Sequence, residues 1–368
     1  MTRRGWRLPV RPFGVPIELD PSFALILPLF TLLIAREVGA FATLFADVGV
    51  RVDPAVLAQG VTPWLLGLSA GIGLFASVLV HELGHALVAR RFEVKTLRIT
   101  LWFLGGMAQL EDVPRQRGAE AAVAIAGPIT SALIAIGLGL LLQTGIPSGP
   151  IAFIAAYLTV TNTALALFNL LPALPLDGGR ILRSLLSLLM GDRQATRVVG
   201  GIGQLIAISM GVYGFLTFQV FLMAIAFFIY VAGRAEIDAS HARAAFAGRV
   251  VREAMTADPV AIEYDWTVAQ ARRLRSFRPH TAYPVLDGEG RPLGWLRSRD
   301  LDDADDEALV GQRLHLLETV LADAALESAV RRLAQSESRR LLVVERDGRA
   351  VGILASADLV RYLQSSDG

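Results

Sequence analysis

The 368-residue sequence is 53% hydrophobic, with a mean hydropathy of +0.49, more apolar than a soluble globular chain of this size, so a polytopic membrane protein is expected. Its 35 basic and 34 acidic residues leave a net charge of +1, which gives no argument for nucleic acid or an acidic polymer as a partner, and none is expected. There is no cysteine, which excludes disulfides, thiol catalysis and thiolate metal sites.

The opening stretch, MTRRGWRLPVRPFGVPIELDPSF, is basic but has no small-residue cleavage site after a short apolar core, so the first span is expected to be retained. Apolar runs at 22–35 (with a possible extension), 63–89, 119–142, 150–171, 198–215 and 217–233 predict six membrane helices. Basic residues fall in alternate connections. Arg3, Arg4, Arg7 and Arg11 precede the first run, and Arg90, Arg91, Lys95, Arg98, Arg115 and Arg117 follow the second. Arg180, Arg183, Arg193 and Arg197 follow the fourth, and Arg234 follows the sixth, whereas the other loops hold only Arg36 and Arg51. The positive-inside rule then puts both termini in the cytoplasm, with the spans in a plasma or inner membrane. Between the second and third runs, TLRITLWFLGGMAQLED is rich in β-branched and aromatic residues around Gly105 and Gly106, and reads as a small re-entrant β-hairpin.

Composition changes near residue 236. Charges become dense and apolar residues fall into short alternating runs, so residues 1–235 are expected to form the membrane domain and 236–248 a helical linker. The rest repeats at an offset of 58 residues: Ala271 lies over Ala329, Gly290 over Gly348, Gly294 over Gly352, Ser298 over Ser356 and Asp300 over Asp358. Each copy, 249–306 and 307–368, reads helix, strand, turn, strand and a helix opened by Ser-x-Asp, an α/β unit.

His81 and His85 in VLVHELGHALVARR stand four apart, which on a helix puts both imidazoles on one face, a spacing that suits two ligands of one zinc ion. Glu82 completes an HExxH motif, in which the glutamate does not bind the metal but takes a proton from water at the ion. The competing reading is a pair of satisfied core histidines. It leaves a neighbouring carboxylate unexplained, because an ionisable group at the centre of a span costs about 3 kcal/mol or more.

A catalytic zinc needs a third protein ligand and an open position. His241, His280 and His315 all lie in the soluble part, so a carboxylate of the membrane part is expected, and most of these sit in loops. Asp177 stands apart. It lies in FNLLPALPLDGGRIL, where Pro172 and Pro175 break the helix and Gly178 and Gly179 let the backbone turn sharply. Irregular backbone at membrane depth is tolerated against protein or a water-filled cavity. The plainer role for Asp177 is a helix cap at the interface. Both motifs end their spans on the same side, so they are able to meet.

HELGH in one span, LFNLLPALPLDGGRIL in a later one and FLGGMAQLED between them resemble the site-2 protease family of intramembrane zinc metalloproteases. The resemblance covers nearly the whole chain, since one branch of that family carries a pair of cystathionine-β-synthase (CBS) domains after six spans, which the repeat looks like. It implies one Zn2+ held by His81, His85 and Asp177, with Glu82 activating water. The family has an asparagine eight residues before its metal aspartate, here Asn169, either an oxyanion donor or a polar interhelical contact. Asn162 fits the latter role. In the family, the strand edge around Gly105 and Gly106 is thought to receive the unwound substrate; the alternative is a structural hairpin. Around Glu18 and Asp20, in what the resemblance implies is an N-terminal strand, the family often has basic or histidine residues, and here the chain departs from it.

For the CBS-like pair, the resemblance implies ATP, ADP or AMP between the repeats, with Ser298, Asp300, Ser356 and Asp358 toward ribose and Arg297, Arg299, Arg339 and Arg340 toward phosphate. Helix capping by Ser-x-Asp is the plainer reading. CBS pairs commonly dimerise, so a homodimer is expected. The activity implied is an endopeptidase acting in the lipid bilayer on single-span membrane proteins, such as anti-sigma factors. Two other classes are compatible with six spans and a sensor domain: a metal-ion transporter and a non-catalytic scaffold. Neither gives Glu82 a necessary role, and no pseudo-repeated membrane halves are visible.

Overall fold

The computed structural model describes residues 5–103, 105–110, 118–336 and 338–366. Arg3, Arg4, Glu111, Asp112, Arg115 and Arg117 lie outside them. The chain divides into two compact units, Met1–Asp238 and Ala239–Gly368.

The first unit runs β1 (Trp6–Arg7), β2 (Ile17–Leu19), α1 (Phe23–Asp47), α2 (Pro54–Leu57), α3 (Thr62–Arg91), β3 (Thr96–Trp102), β4 (Gly105–Leu110), α4 (Ala119–Gln143), α5 (Gly149–Asn169), α6 (Asp177–Met190) and α7 (Asp192–Leu216). It ends within α8 (Val220–Phe246). Among the described residues six helices, α1, α3, α4, α5, α7 and α8, are long and apolar enough to cross a membrane. Three differ from the expected bounds: α8 runs on without a break to Phe246, α1 takes up the extension allowed for it, and α7 starts earlier. α1 continues to Asp47 because Ile34, Val38, Ala42 and Phe45 keep a buried helical stripe while Arg36 and Glu37 face outward. α7 starts at Asp192, whose carboxylate suits a helix N-terminus, and Ala195, Val199 and Gly203 carry its buried face back into the polar segment.

The expected lone hairpin is part of a larger sheet. β3 and β4 pair antiparallel, but β2 joins β3 in parallel through Ile17 and Ile99, giving four strands in the order β1-β2-β3-β4. A bare β3 edge would leave backbone groups and the apolar Ile99 uncovered, and the N-terminal segment removes that edge. Ile17 and Ile99 are both buried, and buried Glu18 is held by Arg7 at 2.9 Å and Arg98 at 3.3 Å. β4 remains an edge strand.

The second unit runs β5 (Thr256–Ala257), β6 (Ile262–Glu263), α9 (Val268–Phe277), β7 (Ala282–Leu286), β8 (Pro292–Arg297), β9 (Thr319–Leu321), α10 (Leu326–Gln335), β10 (Arg340–Val344), β11 (Ala350–Ala355) and α11 (Ser356–Ser366). Its sheets are β6-β7-β8 and β5-β11-β10-β9. Each has its own core, around Tyr283, Val285 and Leu296 in one and Leu341, Val343 and Leu354 in the other. The repeat is less regular than expected at one place. Ser298 opens only a short 3-10 turn, Ser298–Leu301, whereas Ser356 opens the full helix α11. Asp302, Asp303, Asp305 and Asp306 crowd like charges after the first turn, and the Arg272 guanidinium takes the carbonyls of Leu301 and Ala304 that a continuing helix would use.

Candidate metal centre

The centre is assembled from three helices. His81 and His85 project from one face of α3, and Asp177 is the first residue of α6. The two Nε2 atoms are 3.2 Å apart, and Asp177 Oδ2 lies 3.3 Å from each. All three residues are less than a tenth exposed. His85 Nδ1 donates to the Val123 carbonyl at 2.8 Å, so in the neutral ring Nε2 presents a bare lone pair to the cluster. His81 Nδ1 lies 2.9 Å from Ser131 Oγ. Both supports come from α4, and such partners fix the orientation of a ligating imidazole.

The donor set fits zinc. Ligand atoms at about 2.0–2.1 Å around a tetrahedral ion stand about 3.3–3.4 Å from one another, close to the separations here. Two imidazole nitrogens and a carboxylate oxygen this close repel one another unless a proton or a metal ion lies between them.

Close backbone approach makes this geometry attainable. Gly127 of α4 lies against the ring edges, and a Cβ there would collide with His85 Nε2 and stand 2.6 Å from His81 Nε2. Gly178 and Gly179 lie against the backbone of residues 170–174, so the chain leaving α5 folds tightly before Asp177 starts α6. Glu82 sits beside His81, and its Oε2 accepts the Ala108 amide of β4 at 2.9 Å. Gly106, two residues before, is so close that its Cβ would lie 2.7 Å from Glu82 Cγ.

A model of "Peptidase family M50" matches residues 69–149 and 144–212, and CBS-domain models match 251–307 and 317–365. A relative from Synechocystis sp., provisionally named a zinc metalloprotease, is 34% identical over 380 residues, covering 96% of this chain and 94% of its own. The chain belongs to peptidase family M50. A zinc metalloprotease of Methanocaldococcus jannaschii is 30% identical over 293 residues, covering 79% of this chain and 83% of its own. The solved structure of a site-2 protease from that organism is 31% identical and covers 63% of this chain and 95% of its own, with a TM-score of 0.45. With that family match and six apolar helices, the protein is a multi-pass zinc metalloprotease of family M50 with a CBS-domain pair.

In this M50 protein the remaining candidate residues are dispersed. Asn169 donates its amide to Leu165 O, 2.9 Å away in its own helix, and Asn162 makes an interhelical bond, 2.9 Å to Ser77 Oγ of α3. Gly105 has a positive φ of 135°, at the start of β4. In the CBS pair, Asp300 Oδ2 is 2.8 Å from His315 Nε2, and Asp358 accepts Thr256 Oγ1 at 2.6 Å and the Ala355 amide at 2.8 Å. Ser298 donates to the His280 carbonyl, and Ser356 is exposed at the start of α11. Arg340 Nη2 donates to Thr281 Oγ1 at 2.5 Å. The sequence reading missed Val123, Gly127, Ser131 and the Ala108 amide. Only the small AGP step within an apolar run hinted at Gly127.

Proposed function

We propose that this protease cleaves peptide bonds in or near the transmembrane segments of single-span membrane proteins, anti-sigma-factor-like regulators among them, with His81, His85 and Asp177 holding one Zn2+. The convergence of these three buried side chains beside Glu82 carries the reading. Zinc held there supplies Lewis acidity, which makes water a nucleophile near neutral pH and polarises a peptide carbonyl. The chain's own groups do the rest. Glu82 takes the proton that water loses on attacking the carbonyl carbon, and returns a proton to the amine nitrogen as the C–N bond breaks. The Ala108 amide holds Oε2, which leaves Oε1 for that transfer. Asn169, on turning from Leu165 O, donates to the carbonyl oxygen as it gains charge. The edge of β4 around Gly105 and Gly106 pairs with the substrate backbone, replacing the helical hydrogen bonds an unwound segment gives up.

In the same proposal both termini are cytoplasmic, the basic loops being the support, and the domains run 1–235, 236–248, 249–306 and 307–368. The CBS pair dimerises and binds an adenosine nucleotide through Asp300 and Asp358. Because Asp300 is engaged by His315 and Asp358 by Thr256, a nucleotide has to compensate for both contacts, so titration calorimetry with AMP, ADP and ATP is expected to show a stronger response in His315→Ala.

The direct test compares membrane proteomes of cells making equal amounts of wild type and Glu82→Gln. One or a few single-span proteins are expected to accumulate, intact or partly trimmed, only with Glu82→Gln. Identical proteomes under several growth conditions, with zinc still bound to purified protein, would refute the assignment.

A further inference from the structure

The three groups at the centre are not anchored alike. Each imidazole has a second partner on α4, Ser131 Oγ for His81 and the Val123 carbonyl for His85. Among the described residues, the Asp177 carboxylate meets no side chain except those two imidazoles. Its place is therefore set by where α6 sits as a rigid body.

Beyond the Gly178–Gly179 packing and an Arg180–Glu236 pair at 3.9 Å, the best-buried anchor of α6 lies six residues further on. Arg183 has a side chain only 14% exposed, and its guanidinium meets two carboxylates from two other helices. Nη2 pairs with Glu120 Oε1 in the first turn of α4, and Nη1 lies 3.7 Å from Glu236 Oε1 of α8. Glu120 opens the helix that carries Val123, Gly127 and Ser131. One side chain thus ties the helix of the aspartate to the helix that orients the histidines. α8 backs the same segment from its own side, where a Cβ on Gly233 would lie 2.5 Å from the Leu174 carbonyl oxygen, three residues before Asp177. A planar guanidinium is suited to this task, since its fork engages two carboxylates in fixed directions.

We propose that Arg183 is the positioning residue for Asp177, holding it within reach of His81 and His85 through Glu120 and Glu236. The proposal rests on Asp177 being a zinc ligand, as argued above. It assigns Arg183 no contact with substrate or metal.

The test follows zinc release from full-length protein in detergent into excess chelator, alongside thermal stability, for wild type, Asp177→Asn, Arg183→Gln, Arg183→Lys and Glu120→Gln. Asp177→Asn is expected to lose zinc. Arg183→Gln should release it about tenfold or more faster than wild type, in the range seen when a ligand's supporting partner is removed. Arg183→Lys, which keeps the charge but not the fork, should fall between them. Faster release with an unchanged melting temperature, eased by lysine, separates positioning from general destabilisation. Release at the wild-type rate from Arg183→Gln, with Asp177→Asn depleted, would overturn the proposal and leave the metal site intact. Retention by Asp177→Asn as well would overturn the site itself. Should Arg183→Gln not yield a monodisperse protein, Glu120→Gln decides: accelerated release supports the brace and unchanged release refutes it.

Discussion

At the scale of single residues, the centre depends as much on a missing side chain as on those present. Gly127→Ala adds one carbon where the imidazoles lie against α4, and the rings have to swing off the positions that bring three donor atoms together. Zinc content of the purified variant is expected to fall, and cleavage of a model substrate to drop about a hundredfold. Gly137→Ala, on the same helix with open space around it, serves as the control and should match wild type. The split between legible and hidden residues follows from this. His81, Glu82 and His85 are readable because helical spacing alone puts their chemistry on one face, and Asp177 because the histidines left over lie in another unit. Val123, Gly127, Ser131 and Arg183 act through neighbours distant in sequence. Nothing in their local pattern separates them from the rest of an apolar helix or a basic loop.

At the scale of elements, β4 is the strand to probe. The Ala108 amide points away from β3 toward Glu82, so proline at 108 removes that donor without taking a hydrogen bond from the ladder, which an edge strand tolerates. Ala108→Pro is expected to slow cleavage about tenfold or more, as loss of a hydrogen bond to a charged group does, while zinc content stays at the wild-type level. Equal rates for both proteins would remove the amide from the catalytic account. β3 was legible from its β-branched and aromatic residues, and β4, which has neither, only as the return strand of a hairpin around Gly105 and Gly106. β1 was not, and a strand around Glu18 came only from the family resemblance, because Trp6–Arg7 and Ile17–Leu19 are too short to show a period and are strands only through pairing with distant partners. The 3-10 turn at Ser298–Leu301 escaped for a similar reason, since the Arg272 contacts that stop it come from another element.

At the scale of the whole molecule, the second unit carries two complete cores of its own, so residues 239–368 are expected to fold and melt cooperatively when expressed separately. Its two hairpin turns bring an acid response. Backbone amides, with Arg291 first for Asp287 and Arg349 first for Asp347, hold both carboxyls below the usual carboxylate range. A depressed folded-state pKa gives stability that is present above the unfolded value and lost as pH falls through the folded one. The denaturation midpoint is therefore expected to be flat above about pH 5 and to fall below roughly pH 4, with Asp287→Asn flattening part of the decline. The membrane unit assembles in another way, because its centre draws on α3, α4 and α6. At roughly 5–20 residues per second, synthesis reaches Asp177 some 5 to 20 seconds after His85. During that interval α3 holds two imidazoles and a carboxylate before their last partner has been made. On the proposed three-residue site, zinc capture is then expected to be a late event of biogenesis, and a nascent chain stalled before α6 to enter the bilayer with its histidines in place and one ligand short.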